Sequence, residues 1–333
     1  MARKDPGPRS SVRFIGRVIK GSRPGKHPGF VEPALATLRA QPPIDDRYIH
    51  EIKFDGYRVQ AHLRGGLASL FTRGGLNWTK RFPTIAVAVG SIPATDLILD
   101  GEVISANEHG AANFSALQDD LSRSRYDRMA YYAFDILFLD GFDLRAAPLV
   151  ERKRVLAGLL KEAGDIGPVF LSESFEQDGN TLFGKACQLG LEGVVSKLRK
   201  AAYKSGRTED WIKAKCLQVA RYEVIGYKNG ATSLYVGKRN ESGDLIYAGK
   251  AGTGFTNSMV LELSRLLKPI TVEKMPLAKK PDRKNKIDHW CRPRYWAEVE
   301  YRDITTDGLL RHVTFRGLYD SKSAKKPLVA KFK

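Results

Sequence analysis

The sequence predicts an α+β fold, in which a larger domain rich in antiparallel sheet is followed by a smaller all-β barrel. Three observations carry that reading. At 333 residues the chain is long enough for two domains, each with its own core. Up to Cys216, strands and helices mix without the regular alternation that a parallel βαβ sheet requires. Beyond it the texture changes to short alternating strands around one helix, the pattern of a small Greek-key barrel of the OB type.

The elements follow in order. Residues 1–30 form a basic arm rich in Gly, Pro, Ser and Arg, with few large apolar residues, and are expected to be mobile in isolation. In the domain at 31–216, YIHEIKF (48–54) reads as a strand with Ile49, Glu51 and Lys53 on one face. VQAHL and LASLFT flank Gly65-Gly66, a two-residue hairpin signal. LILDGEVI (97–104) and YYAFDILFL (131–139) are further strands. Asn113 is a candidate cap for a helix striped by Phe114, Leu117 and Leu121. VERKRVLAGLLKEAG is a helix stopped at Gly164, after which GVVSKL and WIKAKC return to strand. In the domain at 217–333, RYEVIGY, SLYVGKR, LIYAGKA, YWAEVEYR and LLRHVTFRGL alternate as strands, with the helix NSMVLELSRLLK between the third and fourth.

Charge indicates the class of partner. Lys and Arg number 55 against 37 Asp and Glu, a net +18. The arm carries eight basic residues and one acid, residues 31–216 carry 24 of each sign, and residues 217–333 carry 23 basic residues and 12 acids. A neutral middle between basic ends points to a polyanion, nucleic acid first. No basic amphipathic helix or lipidation motif favours a membrane surface, and the longest apolar stretch, Met129–Leu139, is too short to span a bilayer and is broken by Asp135. The basic start lacks the apolar core of a secretory signal, so a soluble intracellular protein is expected. Cys187, Cys216 and Cys291 form no CxxC pair and no zinc site. They read as incidental or buried thiols in a reducing compartment rather than a disulfide framework.

The chemistry concentrates in EIKFDGYR at 51–58, where a lysine ends a strand, Asp-Gly turns, and an arginine follows. Down the chain come TRGG (72–75), DGE (100–102), FDI (134–136), EGVVSK (192–197) and WIKAK (211–215). Their order and spacing resemble the covalent nucleotidyltransferase superfamily of ATP-dependent ligases and mRNA capping enzymes. Within it they are most similar to bacterial ATP-dependent DNA ligases, in particular the ligase domain of the end-joining ligase D. FTRGGLNWT, AGKAGTGF and LLRHVTFRGL look like that group especially, and the resemblance covers residues 30–322. It implies an antiparallel-sheet nucleotidyltransferase (ATP-grasp-like adenylation) domain over 31–216 and an OB-fold DNA-binding domain over 217–333.

The resemblance makes Lys53 the nucleophile that takes AMP from ATP. An ordinary lysine is protonated at neutral pH and cannot attack, so cations nearby must lower its pKa. Lys213 and Lys215 alternate on a strand and can both face it, where they would also neutralise the transferring phosphate. Glu192 and Asp55 are oxygen donors suited to Mg²⁺ or Mn²⁺, Glu192 being the better candidate by likeness. By likeness also, Glu102 and Arg58 hold ribose and phosphate, Phe134 stacks on adenine, Glu51 helps read the base edge, and Arg73 grips the 5′-phosphate of the nick. The planar donor fork of an arginine fits that last task.

The chain departs from the family at Gly74 and Asn77, and in FRGLYDSK, where Tyr319 stands for an arginine and Ser321 for an aspartate; only Lys322 matches. Slow self-adenylylation is the expectation, with Arg311 or Arg316 as candidate replacements. The implied activity is an ATP-dependent DNA ligase sealing 3′-OH/5′-phosphate nicks or breaks, in repair or recombination. The alternatives are an RNA ligase, a capping-type nucleotidyltransferase, or a catalytically weak DNA-binding relative. The expected partners are nicked or broken duplex DNA and, if the pathway is end joining, Ku in trans. The expected setting is a monomer in the bacterial cytoplasm, associated with the nucleoid.

Overall fold

The structure, a computed structural model, describes residues 19–105, 112, 114–279, 281, 287–302, 304–305, 307–321 and 326–330. Residues 1–18 of the arm, Asn113 and Lys322 lie outside them. The chain divides into two units between Cys216 and Leu217.

The first unit contains two sheets. Its main strands are β1 (Ala34–Leu38), β2 (Tyr48–Ile52), β3 (Tyr57–Arg64), β4 (Leu67–Thr72), β5 (Asp96–Ser105), β6 (Met129–Leu139), β7 (Gly193–Leu198) and β8 (Gly206–Lys215). Its helices are α1 (Pro83–Gly90), α2 (Phe114–Ser122), α3 (Leu149–Ala163) and α4 (Gly179–Gln188). One sheet runs β6-β5-β3-β4, antiparallel throughout, and the short strand Val169–Leu171 joins β6 in parallel. The β3–β4 hairpin closes at Arg64↔Leu67 with Gly65 at φ +56° and Gly66 at φ +86°. Both turn residues are left-handed, which the two-residue turn needs and glycine adopts without steric cost. Val59, Leu63, Leu99, Tyr131 and Ile136 from this sheet pack with Ile85 and Val89 of α1, Leu117 of α2 and Val155 and Leu159 of α3.

Helix α3 ends at Gly164, φ +69°. Its Arg152 is wholly buried and donates to both carboxylate oxygens of Asp135 on β6, at 2.7 and 2.9 Å, and to the Ala147 carbonyl at 2.5 Å. The second sheet has the order Ser174–Phe175, β2, β7, β8, β1; only β8 and β1 run parallel.

The cysteines correct the sequence expectation. Cys187, in the last turn of α4, and Cys216, just past β8, are joined in a disulfide with their Cα atoms 5.2 Å apart, while Cys291 is buried and free. The reason is topological. Leu182 and Ala186 of α4 pack on Val194 of β7, and β8 returns antiparallel to β7 with Lys215 opposite Gly193. Two positions 29 residues apart thereby become neighbours, which sequence spacing does not disclose.

The second unit is the small barrel. Strands β9 (Gln218–Tyr227), β10 (Leu234–Arg239), β11 (Leu245–Ala251), β12 (Tyr295–Tyr301) and β13 (Thr314–Asp320) are ordered β11-β10-β9-β12-β13. A bridge between Thr253 and Thr314 brings the two ends of that order together. Helix α5 (Asn257–Leu267) begins at Thr256, whose hydroxyl accepts the Met259 N–H, and turns Met259, Leu263 and Leu267 onto a core with Val224, Val236, Val299 and Phe315. On the barrel surface the Arg221 guanidinium lies 3.6 Å from the ring centre of Tyr319 and pairs with Glu298 at 3.2 Å, and Arg316 pairs with Glu300. Among the described residues no helix is long and apolar enough to cross a membrane.

Candidate active site

The site lies in the first unit, where strand ends of its two sheets meet. Lys53 follows β2 directly, and its backbone N–H donates to the Gly193 carbonyl at 2.9 Å, pinning it to the start of β7. Its Nζ donates to Glu192 Oε2 at 2.5 Å, and Glu192 Oε1 lies 3.1 Å from Lys215 Nζ. Two glycines permit this crowding. A Cβ on Gly193, where φ is +144°, would stand 2.0 Å from the Ala214 carbonyl oxygen, and one on Gly56 would stand 1.9 Å from that of Val103. The Glu-Gly and Asp-Gly pairs therefore have a steric cause.

At the turn, Asp55 is buried and its Oδ2 accepts the Phe114 N–H at 3.3 Å, while the Gly56 N–H donates to Glu102 Oε1 at 3.2 Å. Burial pushes the Glu102 carboxyl up to about 7, against the pull of Lys53 and Arg58. Arg58 donates to both oxygens of Asp100, at 3.0 and 2.6 Å, and to the Ala34 carbonyl at 2.5 Å. Its guanidinium lies 5.3 Å from the ring centre of Phe134 and 5.6 Å from that of Trp211. Glu51 is also buried. Lys153 Nζ lies 2.8 Å from its Oε1, and Lys197 Nζ 2.8 Å from its Oε2, which also accepts from the Ser172 hydroxyl at 3.2 Å. Lys197 lies 4.3 Å from the ring centres of both Phe134 and Trp211.

One cavity of about 230 Å³ gathers Glu51, Lys53, Arg58, Arg73, Glu102, Phe134 and Lys213 on its wall. Burial, then Lys53 and Lys215, pull the pKa of Lys213 down, so this part of the wall is an electropositive cluster. Lys215 lies near enough to Lys213 to act on its charge and meets Lys53 through the shared carboxylate of Glu192. The pairing of Lys215 with Gly193 sets it beside Glu192, which with Lys53 and Asp55 borders a second hollow of about 200 Å³. Lys322 lies outside the described residues.

Sequence reading passed over Lys197, Arg207 and Trp211, all on the cavity wall. Lys197 closes the EGVVSK segment and Trp211 opens WIKAK, so their signal lay inside segments already singled out; Arg207 had none. Among the described residues no three His, Cys, Asp or Glu cluster around a metal position. Two carboxylates beside Lys53 nevertheless form a hard-oxygen donor set that suits Mg²⁺ or Mn²⁺ when substrate phosphates complete the shell.

Comparison with known proteins follows the same division. The family described as ATP dependent DNA ligase domain matches residues 37–215, and ATP dependent DNA ligase C terminal region matches 228–322. The multifunctional non-homologous end joining protein LigD of Pseudomonas aeruginosa is 36% identical over 317 residues, covering 92% of this chain and 38% of that protein. Its namesake from Mycolicibacterium smegmatis is 30% identical over 286 residues, covering 83% and 36%. The chain thus spans less than two-fifths of the length of these relatives. A solved structure of mycobacterial DNA ligase D complexed with ATP and MES is 28% identical, with a TM-score of 0.53 over 90% of this chain and 98% of that one.

Proposed function

The chain belongs to the ATP-dependent DNA ligase family, and on that premise we propose that it seals 3′-hydroxyl/5′-phosphate breaks in duplex DNA through a lysyl-AMP intermediate. The observation that supports this most is Lys53 on the wall of the cavity, its amine held by Glu192 and faced by Lys213.

Chemistry begins when the Lys53 amine, its proton released to solvent, attacks the α-phosphorus of ATP. A P–N bond forms and pyrophosphate leaves. AMP then moves to the 5′-phosphate of the break, the P–N bond opens and Lys53 is restored. The 3′-hydroxyl oxygen finally attacks the activated 5′-phosphorus and AMP departs. Each step is phosphoryl transfer, so positioning and charge neutralisation do the work. Phe134 stacks on adenine, Glu102 accepts from the ribose hydroxyls, and Arg58, locked by Asp100, presents a fixed cation. Glu51 acts through Lys197, which it holds beneath Phe134. Lys213 meets charge on the transferring phosphate, and Arg73 grips the 5′-phosphate. A Mg²⁺ or Mn²⁺ ion held by Glu192 and Asp55 would supply further neutralisation of that phosphate.

Tyr319 supplies no cation of its own, which supports slow self-adenylylation. The likeness to LigD supports a place in end joining on broken duplexes; Ku in trans as partner, and a monomer working in the bacterial cytoplasm at the nucleoid, belong to the same proposal. Incubation with labelled ATP should give a protein–AMP adduct that Lys53→Ala abolishes, followed by sealing of nicked DNA. An adduct on Lys53→Ala refutes the mechanism. An adduct from GTP, or sealing confined to nicked RNA, points to the capping-type or RNA-ligase alternative. Nick binding without any adduct points to a non-catalytic relative. Sealing of blunt ends only when Ku is added would support the end-joining role.

A further inference from the structure

The disulfide lies against the reaction centre. Cys187 closes α4; Gly190, at φ +70°, turns the chain, and its N–H donates to the Cys187 carbonyl at 3.1 Å; Glu192 then opens onto β7. From the other side Cys216 directly follows Lys215, and its N–H donates to the Glu192 carbonyl at 2.9 Å. The bond between the two cysteines therefore closes a ring around the short turn that carries Glu192. Both groups that flank the Glu192 carboxylate depend on that turn, Lys215 at 3.1 Å and Lys53 at 2.5 Å. Both cysteines are partly exposed, whereas Cys291 is fully buried. The two that are bonded are thus the two that are not fully buried.

We propose that Cys187 and Cys216 form a redox clasp that sets the rate of lysyl-AMP formation. Oxidised, the clasp fixes Glu192 against Lys53. Reduced, it frees the end of α4 from the end of β8, and the carboxylate no longer holds the amine in one place. This rests on the reading of Lys53 as the nucleophile. An enzyme that works on DNA inside the cell meets a thiol-rich medium, where protein disulfides are transient and sensory rather than permanent. The exchange balances with a low-molecular-weight disulfide of the glutathione type. One cysteine thiolate attacks it, forming a mixed disulfide and releasing one small thiol. The second cysteine thiolate then attacks the mixed disulfide, closing the Cys187–Cys216 bond and releasing the other. Two protein thiols lose two protons and two electrons, and one small disulfide becomes two thiols.

The full chain, equilibrated in glutathione buffers from strongly reducing to strongly oxidising and counted for free thiols by mass spectrometry, provides the test. Single-turnover lysyl-AMP formation with labelled ATP should be several-fold faster in the form with one free thiol than in the form with three. Cys187→Ser should match the reduced rate at every buffer ratio, and Cys291→Ser should keep the full redox response. Equal rates in the two forms, or a response that survives Cys187→Ser, overturn the clasp while leaving the ligase reading standing. Absence of an adduct in both forms strikes the assignment of Lys53 and the clasp with it. A change in thermal stability without a change in adduct rate assigns the bond a purely structural role and also overturns the proposal.

Discussion

Replacing Arg152 with Leu is expected to be among the most damaging single changes away from the cavity. The guanidinium and its partner Asp135 both have side chains of 0% exposure, so removing the cation strands a carboxylate that water cannot reach. It also removes the donors that Asp135 and the carbonyls of Ala147 and Ala201 now accept. Breaking a buried pair by deleting one partner costs about 3–5 kcal/mol. For a unit of this size a kilocalorie moves the midpoint by about 2–4 °C, so the transition of the first unit should fall by roughly 6–20 °C in calorimetry. The companion change Asp135→Asn relieves the stranded charge, and the double variant Arg152→Leu/Asp135→Asn should recover a large part of the loss. If the double variant is no more stable than Arg152→Leu alone, within about 0.5 kcal/mol, the stranded charge is not the cause and the reasoning fails. Asp135 adjoins Phe134 on β6, so weaker ATP binding should accompany the lost stability.

Other outcomes test the site and its support. With its carboxyl near 7, Glu102 is ionised in most molecules at pH 8 and in about a tenth at pH 6, so ATP binding should weaken by up to about tenfold across that range and flatten in Glu102→Gln; an unchanged slope in the variant removes Glu102 from the ribose. Gly193→Ala sets a methyl against the Ala214 carbonyl at 2.0 Å, and lysyl-AMP formation should drop at least about tenfold through displacement of Glu192; near-native rates would show that the turn can yield. Burial pulls the His62 imidazole down to about 3 from its ordinary 6.5. The unfolded chain therefore takes up a proton below pH 6.5 that the native state refuses. This contribution is complete above pH 6.5 and is lost on acidification toward pH 3, by about 1.4 kcal/mol per pH unit. Melts of His62→Asn at pH 7 and pH 5 should differ less than those of the parent chain.

The hairpin at Gly65-Gly66 and the helix stopped at Gly164 were legible because each depends on neighbouring residues and on a backbone conformation only glycine adopts freely. The candidate site was legible as a set of positions because its side chains sit at strand ends within short segments. Their mutual arrangement was not. That Glu51 would be engaged by Lys153 depends on how α3 packs, and that Lys215 would meet Glu192 depends on the β7–β8 register. The Arg58–Asp100 pair and the Cys187–Cys216 bond are likewise products of strands that meet only in the folded unit. A local pattern carries no information on those meetings.

The order of the second sheet has a consequence for how the protein is made. Strand β2, which delivers Lys53, lies between Ser174–Phe175 and β7, and β7 in turn pairs with β8, so every strand beside it is translated long after it. Strands β3, β4 and β5, by contrast, pair with neighbours that follow closely in the chain. On the ribosome the hairpin sheet can therefore assemble while the strand before Lys53 still waits as an open edge. At 5–20 residues per second, the wait from Lys53 to Lys215 is roughly ten to thirty seconds. Lys53 is thus synthesised well before the strands that house it, and a chain that stops short of β7 and β8 lacks Lys197, Trp211 and Lys213 from the cavity wall.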